Sequence, residues 1–260
     1  MVLAGTSALA MLDDSGQGAS GNDSSFSKFS SGTKFIVKAL APDKIASFDS
    51  YGIFKDATIG DDTFRRVNSF EPENPSTKND KGYATDNLTP WDLAANFYND
   101  QAQALIEDGA DKDSATVKPL RSKAAVFRLK QRFILPFVDL DTGALIYIDM
   151  SKLQAQAILK VTKKQHEKGK LNRLAFELEK SGSGKDTVVS MTPIVDIEDE
   201  LTDKQQANFA KVDVDAVEPN FNGLTFVANH AQQVENLVAT GFDISAIGIE
   251  APEKDEELPF

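Results

Sequence analysis

The apolar positions of this chain change period several times along its length, and the changes mark its elements. Lys34-Phe35-Ile36-Val37-Lys38-Ala39-Leu40 alternates as a strand does, and Ala41-Pro42-Asp43 ends it. Thr89-Pro90-Trp91-Asp92 has the chemistry of a helix start, after which Trp91, Ala95, Tyr98, Ala102 and Leu105 fall on one helical face. The long strand expected over Val126 to Phe137 places Arg128, Lys130 and Arg132 on one face and Phe127, Leu129, Phe133, Leu135 and Phe137 on the other. Asp139-Leu140-Asp141-Thr142-Gly143 reads as a hairpin turn, with Ala144 to Met150 as the return strand. Ser151-Lys152-Leu153-Gln154 matches a capping box, opening a helix to about His166 that stops by Gly169. Asn172 to Lys180 reads as a strand, Ser181-Gly182-Ser183-Gly184 as a turn, and Thr187 to Pro193 as the next strand. Thr202-Asp203-Lys204-Gln205 opens a short helix by the same box, and a helix over Asn229 to Ala239 precedes Gly241.

The pattern predicts an α+β fold, mainly β with helices. Its five strands are Thr33 to Leu40, Ala125 to Val138, Ala144 to Met150, Asn172 to Lys180 and Thr187 to Ile194. A helix between the third and fourth makes this the order of an OB-fold-like five-stranded barrel. A long aromatic and helical insert at about 48–117 parts the first two strands. It holds Phe48, Tyr51, Phe54, Phe64 and Phe70 among Gly and Asp, then a polar loop from Pro72 to Thr85, then the Trp91 helix. Residues 1–32 are expected to be a flexible leader, rich in Ser, Gly and Asp from residue 13. Its apolar opening has no Lys or Arg before it, so it reads as a mobile arm or a packing strand rather than a signal peptide. Residues 33–249 form the barrel-like domain with its insert, and 250–260 a disordered acidic tail.

Composition sharpens this picture chiefly through charge. The 260 residues are 41% hydrophobic and 26% charged, ordinary for a globular chain. No apolar run approaches the ~18 residues of a membrane span. There are no cysteines, which excludes disulfides, thiol catalysis and cysteine-ligated zinc and is compatible with a cytoplasmic location. The net charge is −12, but it is unevenly distributed. Lys118 to Lys185 holds fifteen Lys/Arg against six Asp/Glu (+9), whereas residues 1–117 give 10 − 18 = −8 and residues 186–260 give 3 − 16 = −13. A binder of polyanions needs its cations together, so an acidic total conceals a basic site.

The tail adds a second signal. Lys254-Asp255-Glu256-Glu257-Leu258-Pro259-Phe260 is acidic yet ends on apolar residues, where a solubility tail stays polar. It resembles the acidic tip of bacterial and phage single-stranded-DNA-binding proteins, whose terminal Pro-Phe docks on replication and repair partners. From about Ala124 to Pro193, the order strand, short strand, helix, strand, Gly/Ser loop and strand is similar to the binding core of the phage members. The two stretches cover about a third of the chain. The resemblance implies sequence-independent binding and protection of single-stranded DNA in replication, recombination and repair, with no reaction, cofactor or metal, and recruitment of partner proteins by Asp255, Glu256, Glu257, Leu258, Pro259 and Phe260. Two features of some relatives are missing, a Cys/His zinc pattern and a basic amino-terminal arm, since Lys28 is the first cation. Their absence puts cooperative filament formation in doubt.

Single strands are held by cations that follow phosphates and by rings on which bases stack. The expected cations are Arg128, Lys130 and Arg132, with Lys118, Arg121 and Lys123 upstream and Arg65 and Arg66 in the insert. The stacking candidates are Tyr147, Tyr51, Phe54 and Phe64. The loop Ser181 to Asp186 fails as a phosphate loop, with Glu179 where Gly is needed and Asp186 where a hydroxyl would hold magnesium. It reads as a strand connection, in which Lys180 and Lys185 are phosphate-contact candidates by the resemblance. Asp139/Asp141 and Asp213/Asp215 are the acid pairs a metal-dependent nuclease would use, but each lacks a supporting cluster. The two histidines, His166 and His230, give no triad or metal spacing. The rival readings are an acidic adaptor without nucleic-acid binding and a binder of single-stranded RNA, in which bases stack on rings just as they do in DNA.

Overall fold

The computed structural model describes residues 3–4, 26–80, 82–183 and 186–250. The short strands β1 (Leu3–Ala4), β2 (Lys34–Ala39) and β3 (Ala46–Ile53) come first. They are followed by β4 (Ala57–Ile59), β5 (Asp62–Phe64), β6 (Val67–Pro72), β7 (Thr77–Lys78) and β8 (Ala84–Asp86). Next come the helices α1 (Pro90–Glu107) and α2 (Val117–Phe127), the strands β9 (Lys130–Asp139) and β10 (Leu145–Ser151), and the helix α3 (Lys152–Glu167). The chain continues through β11 (Ala175–Ser181), β12 (Val188–Ile194), α4 (Ile197–Glu200), α5 (Asp203–Lys211), β13 (Val227–Ala228) and α6 (His230–Ala239). The fold is therefore α+β. It divides into two compact units, the first up to Asp49 plus Gln131–Leu224, the second Ser50–Lys130 plus the residues from Thr225 on.

In the first unit, β2 pairs antiparallel with β9 and with β11, β9 pairs with β10, and β11 pairs with β12. No pair joins β10 to β12 among the described residues, so no closed barrel is present. The β9–β10 turn is the expected one. Asp139 accepts from Asp141 N and from Thr142 Oγ1, and Gly143 takes the positive φ of 76° that closes it. The capping box at Ser151 and Gln154 is complete, and α3 buries Ala155, Ile158 and Leu159 against Phe133, Leu135 and Phe137 of β9. Of the expected leader, residues 26–32 pack on the first unit, where Phe26 stacks on Phe48 and Phe29 packs against Phe35, and residues 5–25 lie outside the described residues. The apolar opening provides a packing strand, Leu3 and Ala4 pairing with Ser47 and Ala46.

Lys38 is the unexpected core residue here. A lysine in the alternating β2, it is buried, and its Nζ donates to the carbonyls of Phe209 (3.1 Å) and Val212 (2.6 Å) at the end of α5. The ammonium also lies 4.1 Å from the Phe209 ring centre. It satisfies carbonyls that the helix end would leave open.

The second unit contains the expected insert and more, since the C-terminal residues through α6 belong to it. Its centre is Trp91, fully buried, with ring centres of Tyr51, Phe70 and Phe127 at 5.4–5.7 Å and Nε1 donating to Gln233 O. Trp91, Ala95, Tyr98 and Ala102 are buried as the helical face predicts, with Leu105 half-buried. Thr89 caps α1 by accepting from Asp92 N. At the bulge between β3 and β6, Gly52 allows the strands to close, since a Cβ there would sit 2.9 Å from Ser69 Cα. The polar loop from Pro72 to Thr85 contains the small β7–β8 hairpin.

One element differs in kind from its expectation. The strand predicted from Ala125 begins at Lys130, because residues 117–127 are helical. Val117, Leu120, Ala124 and Phe127 form an apolar stripe at helical spacing, and burying Leu120, Ala124 and Phe127 in the cluster of Trp91 and Tyr98 outweighs a short alternation at 126–129.

Replacing Lys38 with Met is expected to cost about 2 kcal/mol, since two buried carbonyls lose a charged donor. Urea denaturation checks this, and an unchanged midpoint would show that the cap contributes nothing.

Candidate nucleic-acid interface

The three cations expected to line one wet face have three different environments. Arg128 is exposed and follows the end of α2, with Nη2 donating to Asn99 Oδ1 at 2.9 Å. Lys130 is half-buried and donates to the main-chain carbonyls of Gly52 and Val126. Arg132 is 0% exposed. Its Nε donates to Asp149 Oδ1 at 2.8 Å, and Nη2 lies 2.7 Å from the same oxygen. The expectation of a row of surface cations is therefore corrected. From Arg132 on, β9 is buried on both faces, with Ile134 and Val138 following Arg132 on the side predicted to be wet. Asp149 stands opposite Ile134, diagonal to Arg132, so the charge is met across the strand pair.

Among the aromatic candidates, Tyr51 and Phe64 are also corrected. Tyr51 is 1% exposed, and its hydroxyl donates to Asp92 Oδ2 at 2.6 Å and accepts from Thr89 Oγ1. Burial and Asp92 push its hydroxyl well above the ordinary tyrosine range. Phe64 is 3% exposed and packs edge-on to Phe127. Neither ring has a face for a base. Tyr147 is half-buried, with Phe221 edge-on to its ring and its hydroxyl accepting from Asn220 N. Phe54 is different, at 58% exposure.

Within the second unit, Phe54 belongs to a turn shared with two cations. Asp56, two residues on, accepts from Arg65 Nη1 at 2.9 Å and from Arg66 N at 2.8 Å, and these bonds hold its carboxyl below the usual range. Arg65 and Arg66 are both exposed. Arg121 is exposed on α2, where Lys118 pairs with Asp113 at 3.6 Å and Lys123 with Asp62 at 2.7 Å. In the first unit Lys180 is half-buried over the Phe29 ring. Its pKa is lowered by burial and by Arg132, against the pull of Asp149. Lys185 and the tail residues Asp255 to Phe260 lie outside the described residues.

No protein-family model matches the chain, nor does any curated protein or solved structure.

The acid pairs act as structural acceptors. Asp139 organises its own turn, Asp141 accepts from Gln205, and Asp213 and Asp215 both accept from Asn172. Among the described residues there is no group of three or more metal-binding side chains, and no helix is long and apolar enough to cross a membrane.

The expected site left out a whole cluster. Lys160, Lys163, Lys164 and His166 on α3, then Lys168, Lys170 and Arg173 just beyond it, are exposed apart from the half-buried Lys163. None of these side chains forms a hydrogen bond or ion pair with a described residue. The signal was present in the sequence as six Lys/Arg against Glu167 over residues 160–173. Such a run at a helix end is also what the helix dipole favours, so the sequence alone does not mark it as a site.

Removing the Arg132 side chain tests the buried pair. Arg132→Met is expected to cost about 3–5 kcal/mol by leaving Asp149 uncompensated, and Arg132→Met with Asp149→Leu to recover most of that. Burial already holds the Asp149 carboxyl above its usual range despite Arg132. The folded state then keeps the proton longer than the unfolded one. This contribution is full below the ordinary carboxylate pKa of about 3.9 and is lost as pH rises through the raised value. The single variant should show a steeper loss over that window in urea titrations at several pH values. A flat profile would mean that Asp149 is solvated.

Proposed function

We propose that this protein binds single-stranded DNA without sequence preference, in the cytoplasm, during replication or recombination. The observation that carries the reading is Phe54, an exposed ring in a turn where Asp56 bonds both Arg65 and the backbone of Arg66. A ring for stacking and guanidinium groups for phosphate are the two components such a site requires. The first unit supports the reading from its strand order. β2, β9, β10, β11 and β12 make four of the five pairings of an OB-fold-like barrel, with α3 between the third and fourth strands. A five-stranded barrel of this kind is partly open, and its sheet face binds oligonucleotides. The +9 excess over residues 118–185 supplies the electrostatic term in a chain that is otherwise acidic. The tail from Asp255 to Phe260 is proposed to recruit partner proteins by its terminal ring and carboxylate.

Titration of a fluorescent oligothymidylate, with matched duplex and RNA as competitors, tests the reading. Preference for the single strand, with affinity falling as salt rises, is the expected result. Phe54→Ala should lose about 1–3 kcal/mol of binding if one base stacks there, with the melting temperature unchanged. Equal affinity for duplex, or none at moderate salt, would overturn the DNA assignment, and preference for RNA would change the polymer. Deleting residues 250–260 should tighten DNA binding, because those acids compete for the same cations. Unchanged or weaker affinity would sink the competition.

A further inference from the structure

The helix α3 has one solvent face whose character changes along its length. Leu153 and Ala157 are exposed near its start, and Lys160, Lys164 and Lys168 follow toward and past its end. Each of these three cations is four residues from the next, a rise of about 6 Å, so they form one edge rather than a ring around the helix. Lys170 and the short helical turn Leu171–Arg173 continue the positive run beyond Gly169. The opposite face is fixed in the core by Ala155, Ile158 and Leu159, so the lysine edge cannot rotate away from solvent. As described above, no carboxylate of the described residues pairs with any of these cations, whereas Lys118, Lys123, Arg65 and Arg132 each have one.

We propose that the carboxyl-terminal end of α3 with the following turn, Lys160 to Arg173, is a phosphate-binding track for the nucleic-acid strand, separate from the Phe54 turn. The proposal rests on the single-strand reading above. Residues 152–173 include no Phe, Tyr or Trp, and His166 is the one aromatic ring beside six exposed or half-exposed Lys/Arg, so this surface offers charge far more than stacking. Its main hold is on the backbone. An acidic protein partner fits less well, because protein interfaces close around an apolar centre and the basic end of this helix exposes none. The apolar part of its solvent face, Leu153 and Ala157, lies at the other end.

The test is a comparison of salt slopes with an oligothymidylate. In Lys160→Gln, Lys164→Gln, Lys168→Gln, glutamine keeps a similar helix propensity while removing three charges. The slope of log affinity against log salt should become shallower by about 2, from about 0.7 per phosphate contact. At 0.15 M salt the affinity should fall by roughly one to two orders of magnitude. A second triple variant, Lys112→Gln, Lys204→Gln, Lys211→Gln, removes three exposed charges elsewhere and should leave the slope unchanged. Should the first triple fail to fold by circular dichroism, Lys164→Gln alone should shift the slope by about 0.7. If the unmodified protein binds and the α3 variants keep its slope, the track is overturned and the single-strand reading stands. Equal losses in both triples would reduce the effect to net charge and likewise overturn it. Absence of binding by the unmodified protein would remove the reading itself.

Discussion

From Arg132 on, strand β9 is buried on both faces, and the first unit is organised around that constraint. Phe133, Leu135 and Phe137 meet α3 on one side, while Ile134 joins Ala46 and Phe48 on the other. A strand in that position cannot expose an arginine partway along, so Arg132 requires an anion within the sheet. Asp149 supplies it from β10 at the diagonal position that the register dictates. The pair is weak evidence for net stability, since desolvating two charges costs about what their attraction returns. Its role is register. Slipping β10 by one residue would move Asp149 to the opposite face and leave both charges alone in an apolar layer.

Local chemistry made most elements legible in the sequence. The capping boxes at Ser151, Thr202 and Asn229, the Thr89 cap with Pro90, and the Asp139 to Gly143 turn each specify a backbone conformation through neighbours a few residues apart. The failures share one cause. The 126–132 stretch alternates like a half-wet strand, but the apolar run from Phe133 to Val138 signals burial on both faces, and the stripe from Val117 to Phe127 signals helix. A period-two reading that starts in the helix and ends in the buried strand joins two elements. The burial of Lys38 was not legible at all, because its partners are carbonyls at Phe209 and Val212, more than 170 residues away, and main-chain acceptors leave no mark in a sequence.

The candidate site was less legible than the fold for the same reason. Charge segregation between residues 118 and 185 is a property of composition and survives folding, whereas the availability of each cation depends on what folding places beside it. Tyr51 and Phe64 show the same limit among rings. Both stand in a segment whose mixture of aromatics, Gly and Asp reads as loop, yet Trp91 gathers them into a core, and only Phe54, at the turn, faces solvent.

Sorting the cations by their partners also clarifies how an acidic protein can hold a polyanion. At 0.15 M salt a charge is felt over about 8 Å, so a phosphate on the lysines of α3 senses near carboxylates such as Asp213 and Asp215, which both bond Asn172, more than the total charge. At 0.01 M the range grows to about 30 Å and the whole −12 chain repels the strand before contact. Local attraction and global repulsion therefore have different ranges, and salt weights one against the other. A uniformly basic protein would attract any polyanion at a distance. Where cations without a carboxylate partner among the described residues stand close together, as they do from Lys160 to Arg173, the local term is strongest.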